Sequence, residues 1–323
     1  MQVKSVRDAD VKDKRVLVRV DFNVPLKDGK IADETRIVRV LQTIQLLIEK
    51  GAKEIIILTH LGRPEGKPNP IYSLAPVEAK FKEHLNNPAI RFHENLRFDP
   101  GEEGNSEEFA KKLASQGDAF VNDAFAVSHR MHASIVGIPK FLPSYAGLLV
   151  EEEVEHLHAA FTAPHPSVAI IGGAKLSTKA PLIEKFAAIY DNVLIGGAIA
   201  NEYKPFQKNV QLPVDGIRDE THIADIGSNT VQTWVSQISA ASFVLWNGPV
   251  GMYEDPKYKG GTDAIAAAIA RSSAHAVLGG GDTAAAIAQF NFDRNKVFIS
   301  TGGGAMLQFL IDNTLPGLEA LKQ

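Results

Sequence analysis

Five times in the second half of the chain a short apolar run ends in glycine and passes straight into helix-favouring sequence. The runs are SVAIIGGAK from Ser167, NVLIGGAIAN from Asn192, FVLWNGPVG from Phe243, HAVLGGGDT from His275 and VFISTGGGA from Val297. Continuous apolar runs of this length fit strands buried on both faces, and their alternation with helical segments predicts βαβ units around a parallel sheet. Ligands of such sheets gather at the carboxyl ends of the strands, where all these glycines fall. Turns there expose backbone N–H groups at helix N-termini, and such groups bind phosphate.

The first half repeats the pattern with different chemistry at the strand ends. RVLVRVDFNVP from Arg15, EIIILTHLGRP from Glu54, IRFHENLRF from Ile90 and AFVNDAFAVSHR from Ala119 run from apolar into polar residues, ending among Asp21, Asn23, His60, Arg63, Arg97 and Arg130. Nine of the 12 arginines lie in residues 1–150, whereas seventeen of the 26 glycines lie in 151–323. An Arg-rich half therefore meets a Gly-rich half. Between the first two strands, DETRIVRVLQTIQLLIEKG from Asp33 sets Ile37, Val40, Leu41, Ile44, Leu47 and Ile48 on one helical stripe, with Gly51 as its stop.

At 323 residues the chain exceeds the roughly 100–200 of one ordinary domain, which predicts two. The expected fold is α/β, with two Rossmann-like parallel-sheet domains, a connecting helix and a ligand cleft between them. The first domain is expected to cover 1–143, one helix SYAGLLVEEEVEHLHAAF to cover 144–162, and the second domain to begin at 163 after the prolines of TAPHP. A composition of 45% hydrophobic and 22% charged residues excludes a disordered or fibrous chain. With no cysteine there is no disulfide framework and no thiolate chemistry. A net charge of -4 gives no basic footprint for nucleic acid, and no run of about 18 apolar residues offers a membrane span. The start MQVKSVRDADVKDKR also lacks an apolar leader segment, so the reading is a soluble cytoplasmic protein.

Several residues are open to a functional and a plainer reading. Arg36 falls in the first turn of its helix, where the macrodipole disfavours a cation by a few tenths of a kcal/mol. It is either a surface arginine with its stem laid along the helix or a cation aimed at an anion held by the same helix end. Lys175 follows a strand and a Gly pair, and Lys179 shares its helical face; the pair is either solvated or phosphate-binding. Asp282, after Gly279, Gly280 and Gly281, is either an N-cap aided by Thr283 or a carboxylate that holds Mg²⁺ beside phosphate oxygens. Glu254 is either a solvated loop residue or an acceptor for a ribose hydroxyl. His60 is a general base, an anion donor or a structural residue, and the pairs His129/His132 and His156/His158 are assigned to surface or packing. There is no Walker A motif, and GGGDTA matches the loose dinucleotide pattern without its usual placement.

Taken in order, DFNVP (21–25), HLGRP (60–64), ENLRF (94–98), SHRMHAS (128–134), GGAK (172–175), WNGPVG (246–251), GGGDT (279–283) and STGGGA (300–305) closely resemble the phosphoglycerate kinases over nearly the whole chain. The resemblance implies reversible transfer of the acyl phosphate of 1,3-bisphosphoglycerate to MgADP, giving 3-phosphoglycerate and MgATP, in glycolysis, by a cytoplasmic monomer whose domains close on a hinge. It implies that Asp21, Asn23, Arg36, His60, Arg63, Arg97 and Arg130 hold the phosphoglycerate. Gly196 and Gly197 would border the adenine, Asn247, Glu254 and Lys179 would contact the nucleotide, and Asp282 would bind Mg²⁺ with Thr283 nearby. Lys175 and the turn Gly279, Gly280 and Gly281 complete the expected nucleotide site. Arg36, Lys175 and the amides of Gly302, Gly303 and Gly304 would stabilise the phosphoryl group in flight. The resemblance also returns a C-terminal helix from Ala305 to about Leu321 to the first domain, which makes that domain 1–143 plus 306–323 (phosphoglycerate-binding) and the second 163–305 (nucleotide-binding). The chain is shorter than members usually are, between Phe81 and Glu94 and between Asn201 and Leu212. Two other readings are an NAD-linked oxidoreductase resting on GGGDTA and a two-domain phospho-ligand-binding protein without catalysis.

Overall fold

A computed structural model describes residues 3–27 and 29–322. The chain divides into two units, Met1–Val154 with Thr314–Gln323, and Glu155–Asn313.

In the first unit the chain runs through β1 (Arg15–Arg19), the hairpin β2 (Leu26–Lys27) and β3 (Lys30–Ile31), α1 (Thr35–Glu49), β4 (Glu54–Leu58), α2 (Ala75–His84), β5 (Ile90–Phe92), α3 (Pro100–Glu103), α4 (Glu107–Ala114), β6 (Ala119–Asn122), β7 (Ser144–Ala146) and the first part of α5 (Leu148–Ala159), whose residues from Glu155 on belong to the second unit. Five strands form a parallel sheet in the order β5-β4-β1-β6-β7. The central strands β1, β4 and β6 are buried on both faces, as their unbroken apolar runs require. Val16, Val18, Ile55 and Ile57 share a core with Ile37, Val40, Ile44 and Leu47 of α1, while Leu41 and Ile48 pack at its margin. Gly51, at φ +78, follows α1 as the predicted stop. Arg19 pairs with Leu58 and with Asn122, so β1, β4 and β6 end in one row.

The segment from Ser144 is not one helix. Ser144–Ala146 pairs with β6 as an edge strand, and α5 begins only at Leu148. The buried Asp123 carboxylate is the reason: its Oδ1 accepts the N–H groups of Leu149 (2.9 Å) and Val150 (3.2 Å), two donors that a helix start leaves unpaired. A Cβ at Gly147 would lie 2.2 Å from that same oxygen, so only glycine fits between strand and helix.

The second unit holds β8 (Ser167–Ile171), α6 (Leu176–Ala187), β9 (Asn192–Ile195), β10 (Val210–Gln211), the antiparallel ribbon β11 (Gly216–Asp219) and β12 (His222–Ile226), α7 (Ser228–Ala240), β13 (Phe243–Asn247), α8 (Gly260–Arg271), β14 (His275–Gly279), α9 (Gly281–Ile287), β15 (Val297–Ser300) and α10 (Gly304–Asp312). Six strands lie parallel in the order β10-β9-β8-β13-β14-β15. Val168, Ile170, Val244, Trp246 and Leu278 pack against Trp234, Ile238, Ile265 and Ile269 of the covering helices. The pairing runs Ile195 to Ile171 to Asn247 to Gly279 to Ser300, which brings five strand ends level.

The chain after STGGGA also departs from the expected single helix. Asn313 adopts the left-handed conformation at φ 58 and stops α10, and Pro316 opens a separate α11 (Pro316–Ala320). α10 stays with the second unit: Met306 Sδ fills the space beside Gly279, and Phe309 meets His158 and Phe161. Residues from 314 on join the first unit, where Gly317 N–H donates to Ser128 O (2.8 Å) and Ala320 packs with Ala124, Val127 and Ile135.

Candidate active site

In the first unit the sequence-predicted polar residues converge at the carboxyl ends of β1 and β4. Arg36 is the second residue of α1 and forms an ion pair with Asp21, two residues beyond β1. Asp21 Oδ1 also accepts Asn23 N–H (3.1 Å), and Asn23 Oδ1 in turn accepts Gly62 N–H (2.9 Å). Arg97 Nη1 donates to Gly62 O (2.8 Å), with Glu103 Oε1 at 3.2 Å from its Nε. Arg63 and Arg130 are exposed. Both act on the charge of Arg97, as expected of guanidinia that share one site.

His60 is buried at the centre of this group, 2% exposed, with Nδ1 3.3 Å from Arg19 Nη2. Burial pulls its imidazole well below the ordinary histidine value, and the charges of Arg19, Arg97, His132 and Arg36 act in the same direction. A lowered value makes the ring a weak proton acceptor, which counts against the general-base reading. Burial, then the charge of Arg19, drives His132 down to about 4. His129 is also lowered, chiefly by burial. His132 is buried and His129 half-buried, as a packing role allows, and the charge of Arg130 reaches both.

Sequence reasoning passed over the residues beneath the cluster. Arg19, in the middle of an apolar run, is fully buried, with Nε 2.7 Å from Ser134 Oγ and Nη2 3.7 Å from Glu102 Oε1. Glu102 is equally buried and accepts from Ser134 N–H (2.9 Å) and Ser134 Oγ (2.5 Å). A charge inside RVLVRV was the available signal, because a buried arginine needs partners.

The second unit gathers its polar residues at the level row of strand ends. Lys179 donates to Asn247 Oδ1, and Asn247 Nδ2 donates to Gly279 O (3.1 Å). Thr283 Oγ1, fully buried, accepts Gly248 N–H (2.7 Å). Burial lowers the Lys179 ammonium to about 8, opposed by the charge of Asp282. Glu254 and Asp282 are exposed, and after burial both charges act to raise the Tyr253 hydroxyl. Asp282 is not an N-cap: Gly280, at φ 103, takes that position, and Asp282 lies in the first turn of α9. Lys175 is the exposed N-cap residue of α6, outside the helix rather than within its first turn.

The glycine turns divide into two kinds. The N–H groups of Gly172, Gly173, Gly196 and Gly197 already donate to Asn247 O, Pro249 O, Ile171 O and Val250 O at 2.9–3.1 Å. Contrary to the expectation of open amides, these four serve close backbone packing: a Cβ at Gly172 would meet Pro249 O at 2.2 Å, and one at Gly197 would meet Gly173 N at 2.7 Å. Gly302 N–H is likewise taken, by Ser300 Oγ at 3.1 Å. The amides of Gly281 and Gly304 that open α9 and α10 have no acceptor within their helices, whereas Ala305 N–H already donates to Gly302 O at 2.7 Å. The two turns are neighbours, since a Cβ at Gly303 would lie 3.9 Å from Gly281 N.

The sequence profile of the family described as Phosphoglycerate kinase matches residues 6–93, 89–210 and 204–313. These stretches overlap at 89–93 and 204–210, within the two segments expected to be short. The phosphoglycerate kinase of Chloroflexus aggregans is 38% identical over 398 aligned positions that take in 100% of this chain and 99% of the relative. That of Thermosipho africanus is 38% identical, with 99% and 98% covered. The structure of phosphoglycerate kinase from Coxiella burnetii superimposes with a TM-score of 0.88 at 36% identity, covering 100% of this chain and 99% of that one. GGGDTA lies inside the match, and neither the oxidoreductase nor the non-catalytic reading is favoured. The chain belongs to the phosphoglycerate kinase family.

Proposed function

We propose that this chain transfers the acyl phosphate of 1,3-bisphosphoglycerate to ADP, reversibly, giving 3-phosphoglycerate and ATP, with phosphoglycerate held by the first unit and nucleotide by the second. The observation that carries this reading is the guanidinium cluster of Arg19, Arg36, Arg63, Arg97 and Arg130 around His60 in a member of this family. In the forward direction a terminal oxygen of ADP attacks the phosphorus, and the bond to the acyl oxygen breaks. The electron pair leaves on the carboxylate. No proton moves, because both oxygens are anionic near neutral pH. No general base is needed, so His60 serves as a neutral hydrogen-bond donor to the phosphoglycerate beside Asp21, Asn23, Arg63, Arg97 and Arg130.

The group in flight carries its charge on three equatorial oxygens, and catalysis is alignment plus positive charge. Arg36, Lys175 and the amides of Gly303 and Gly304 supply that charge. Lys179 and Asn247 hold the nucleotide phosphates, Glu254 takes a ribose hydroxyl, and the bare backbone of Gly196 and Gly197 borders the adenine. Gly279, Gly280 and Gly281, with Thr283 behind them, shape the phosphate turn. Asp282 suits Mg²⁺ in the way the chemistry prefers, one exposed carboxylate completed by phosphate oxygens, and among the described residues no group of three His, Cys, Asp or Glu forms a protein cage. When bound there, the ion neutralises phosphate charge. None of the described helices is long and apolar enough to cross a membrane. With a net charge of -4, we read a cytoplasmic monomer without a nucleic-acid partner.

A coupled assay tests the roles. Arg36→Ala and Lys175→Ala should each lower kcat by orders of magnitude; unchanged kcat in both would overturn the assignment.

A further inference from the structure

We propose that Arg19 is a positioning residue: a buried chain Glu102–Ser134–Arg19 fixes the tautomer of His60 so that its Nε2–H, and not its Nδ1, is the donor presented to phosphoglycerate. The inference rests on the substrate contact assigned to His60 above and adds how that contact is prepared.

The geometry leaves one arrangement. A guanidinium has five N–H donors and no acceptor, so the 3.3 Å contact between Arg19 Nη2 and His60 Nδ1 makes Nδ1 the acceptor. A neutral imidazole that accepts at Nδ1 carries its proton on Nε2. Arg19 is held in this orientation by Nε on Ser134 Oγ at 2.7 Å and by Nη1 on Val20 O. Ser134 Oγ accepts from Arg19 and donates its hydroxyl hydrogen to Glu102 Oε1 at 2.5 Å, and its backbone N–H donates to Glu102 Oε2 at 2.9 Å. Ser134 sits in the π-helical turn Ala133–Gly137. All three members are wholly buried, which excludes the water that would otherwise scramble these bonds.

The charges facing the ring reinforce the choice. Arg19 of β1, Arg36 of α1, Arg97 after β5 and His132 before the π-turn all disfavour the imidazolium. Asp21 and Glu102 are the nearby carboxylates, and Asp21 is engaged by Arg36, Glu102 by Ser134. A neutral donor of fixed direction recognises a hydroxyl or carboxylate oxygen without adding a group that titrates near neutrality.

The test is long-range ¹H–¹⁵N spectroscopy of full-length ¹⁵N-histidine-labelled protein between pH 5.5 and 8, with the His60 ring assigned by its loss in His60→Gln. The expected result is a single Nε2–H tautomer throughout. A proton on Nδ1, or an imidazolium within that range, overturns the proposal. In Ser134→Ala, which removes the acceptor of Arg19 Nε, the ring should become a mixture of tautomers, and KM for 3-phosphoglycerate should rise about tenfold with kcat less affected, as for one hydrogen bond weakened. A single Nε2–H tautomer retained in a folded Ser134→Ala protein also overturns it. Saturating 3-phosphoglycerate should shift the His60 signals. An Nε2–H ring that ignores the ligand supports the Arg19 contact and overturns instead the substrate role given to His60.

Discussion

Lys179, one turn into α6, donates to the side-chain carbonyl of Asn247 at the end of β13, with the Asp282 carboxylate as its charged neighbour. The ammonium is therefore kept in a largely buried setting that costs stability and suits an anion. Its folded value of about 8 lies below the ordinary 10.5, so between these pH values the unfolded chain holds a proton that the folded one has lost. Stability should rise with pH through that window, and at pH 7 the full cost, at most about 3 kcal/mol, is present. Lys179→Met should accordingly raise Tm at pH 7 while weakening ADP binding. Calorimetry in buffers of different ionisation enthalpy should also show proton uptake when ADP binds wild type near pH 8.5, absent in Lys179→Met.

Asp123 should show the opposite sign. Burial raises its carboxyl to about 6, against the bonds from Thr43, Val150 and Leu149, so the folded state holds a proton between about pH 4 and 6 that the unfolded state lacks. That contribution is fully present below about 4 and lost as pH rises through 6, a change of at most about 3 kcal/mol. Asp123→Asn keeps the Oδ1 acceptor for the start of α5 and cannot ionise. Urea denaturation should show its stability relative to wild type increasing from pH 4 to pH 7.5. Asp123→Ala, with no acceptor, should cost about 1–2 kcal/mol.

Glycines at positive φ predict a graded response. Gly197 has φ +67, and an added Cβ would press on Gly173 N, Gly173 O and Pro249 O at 2.7–2.9 Å. Gly29 has φ +73 but nothing within 4 Å of a Cβ. Gly29→Ala should cost about 1 kcal/mol from backbone strain alone, whereas Gly197→Ala should cost about 3 kcal/mol or more by thermal denaturation because rigid backbone must move.

Much of this was legible in the residues. A cation in the first turn of a helix marked Arg36, and strand ends turning from apolar to basic marked His60, Arg63, Arg97 and Arg130. The apolar runs marked the strands of both sheets because parallel strands are buried on two faces. What escaped depends on distant partners. Arg19 reads as a break in an apolar run until Ser134, 115 residues on, closes on it. The doublets at Gly172 and Gly196 look like anion turns, and only the approach of Pro249 and Val250 shows that their amides are occupied. The start of α5 was hidden because its cap, Asp123, lies on another element. The division of the last helix was readable at Asn313 and Pro316, an αL-tolerant residue followed by a helix opener, but the apolar pattern on either side masked it.

The most direct measurement of the central claim is turnover with 1,3-bisphosphoglycerate, ADP and Mg²⁺, followed as ATP formed, with wild type beside Arg36→Ala. Sustained ATP formation by wild type, reversed when 3-phosphoglycerate and ATP are supplied and reduced by orders of magnitude in Arg36→Ala, is the predicted result. No phosphoryl transfer by folded, ligand-binding wild-type protein in either direction would contradict it.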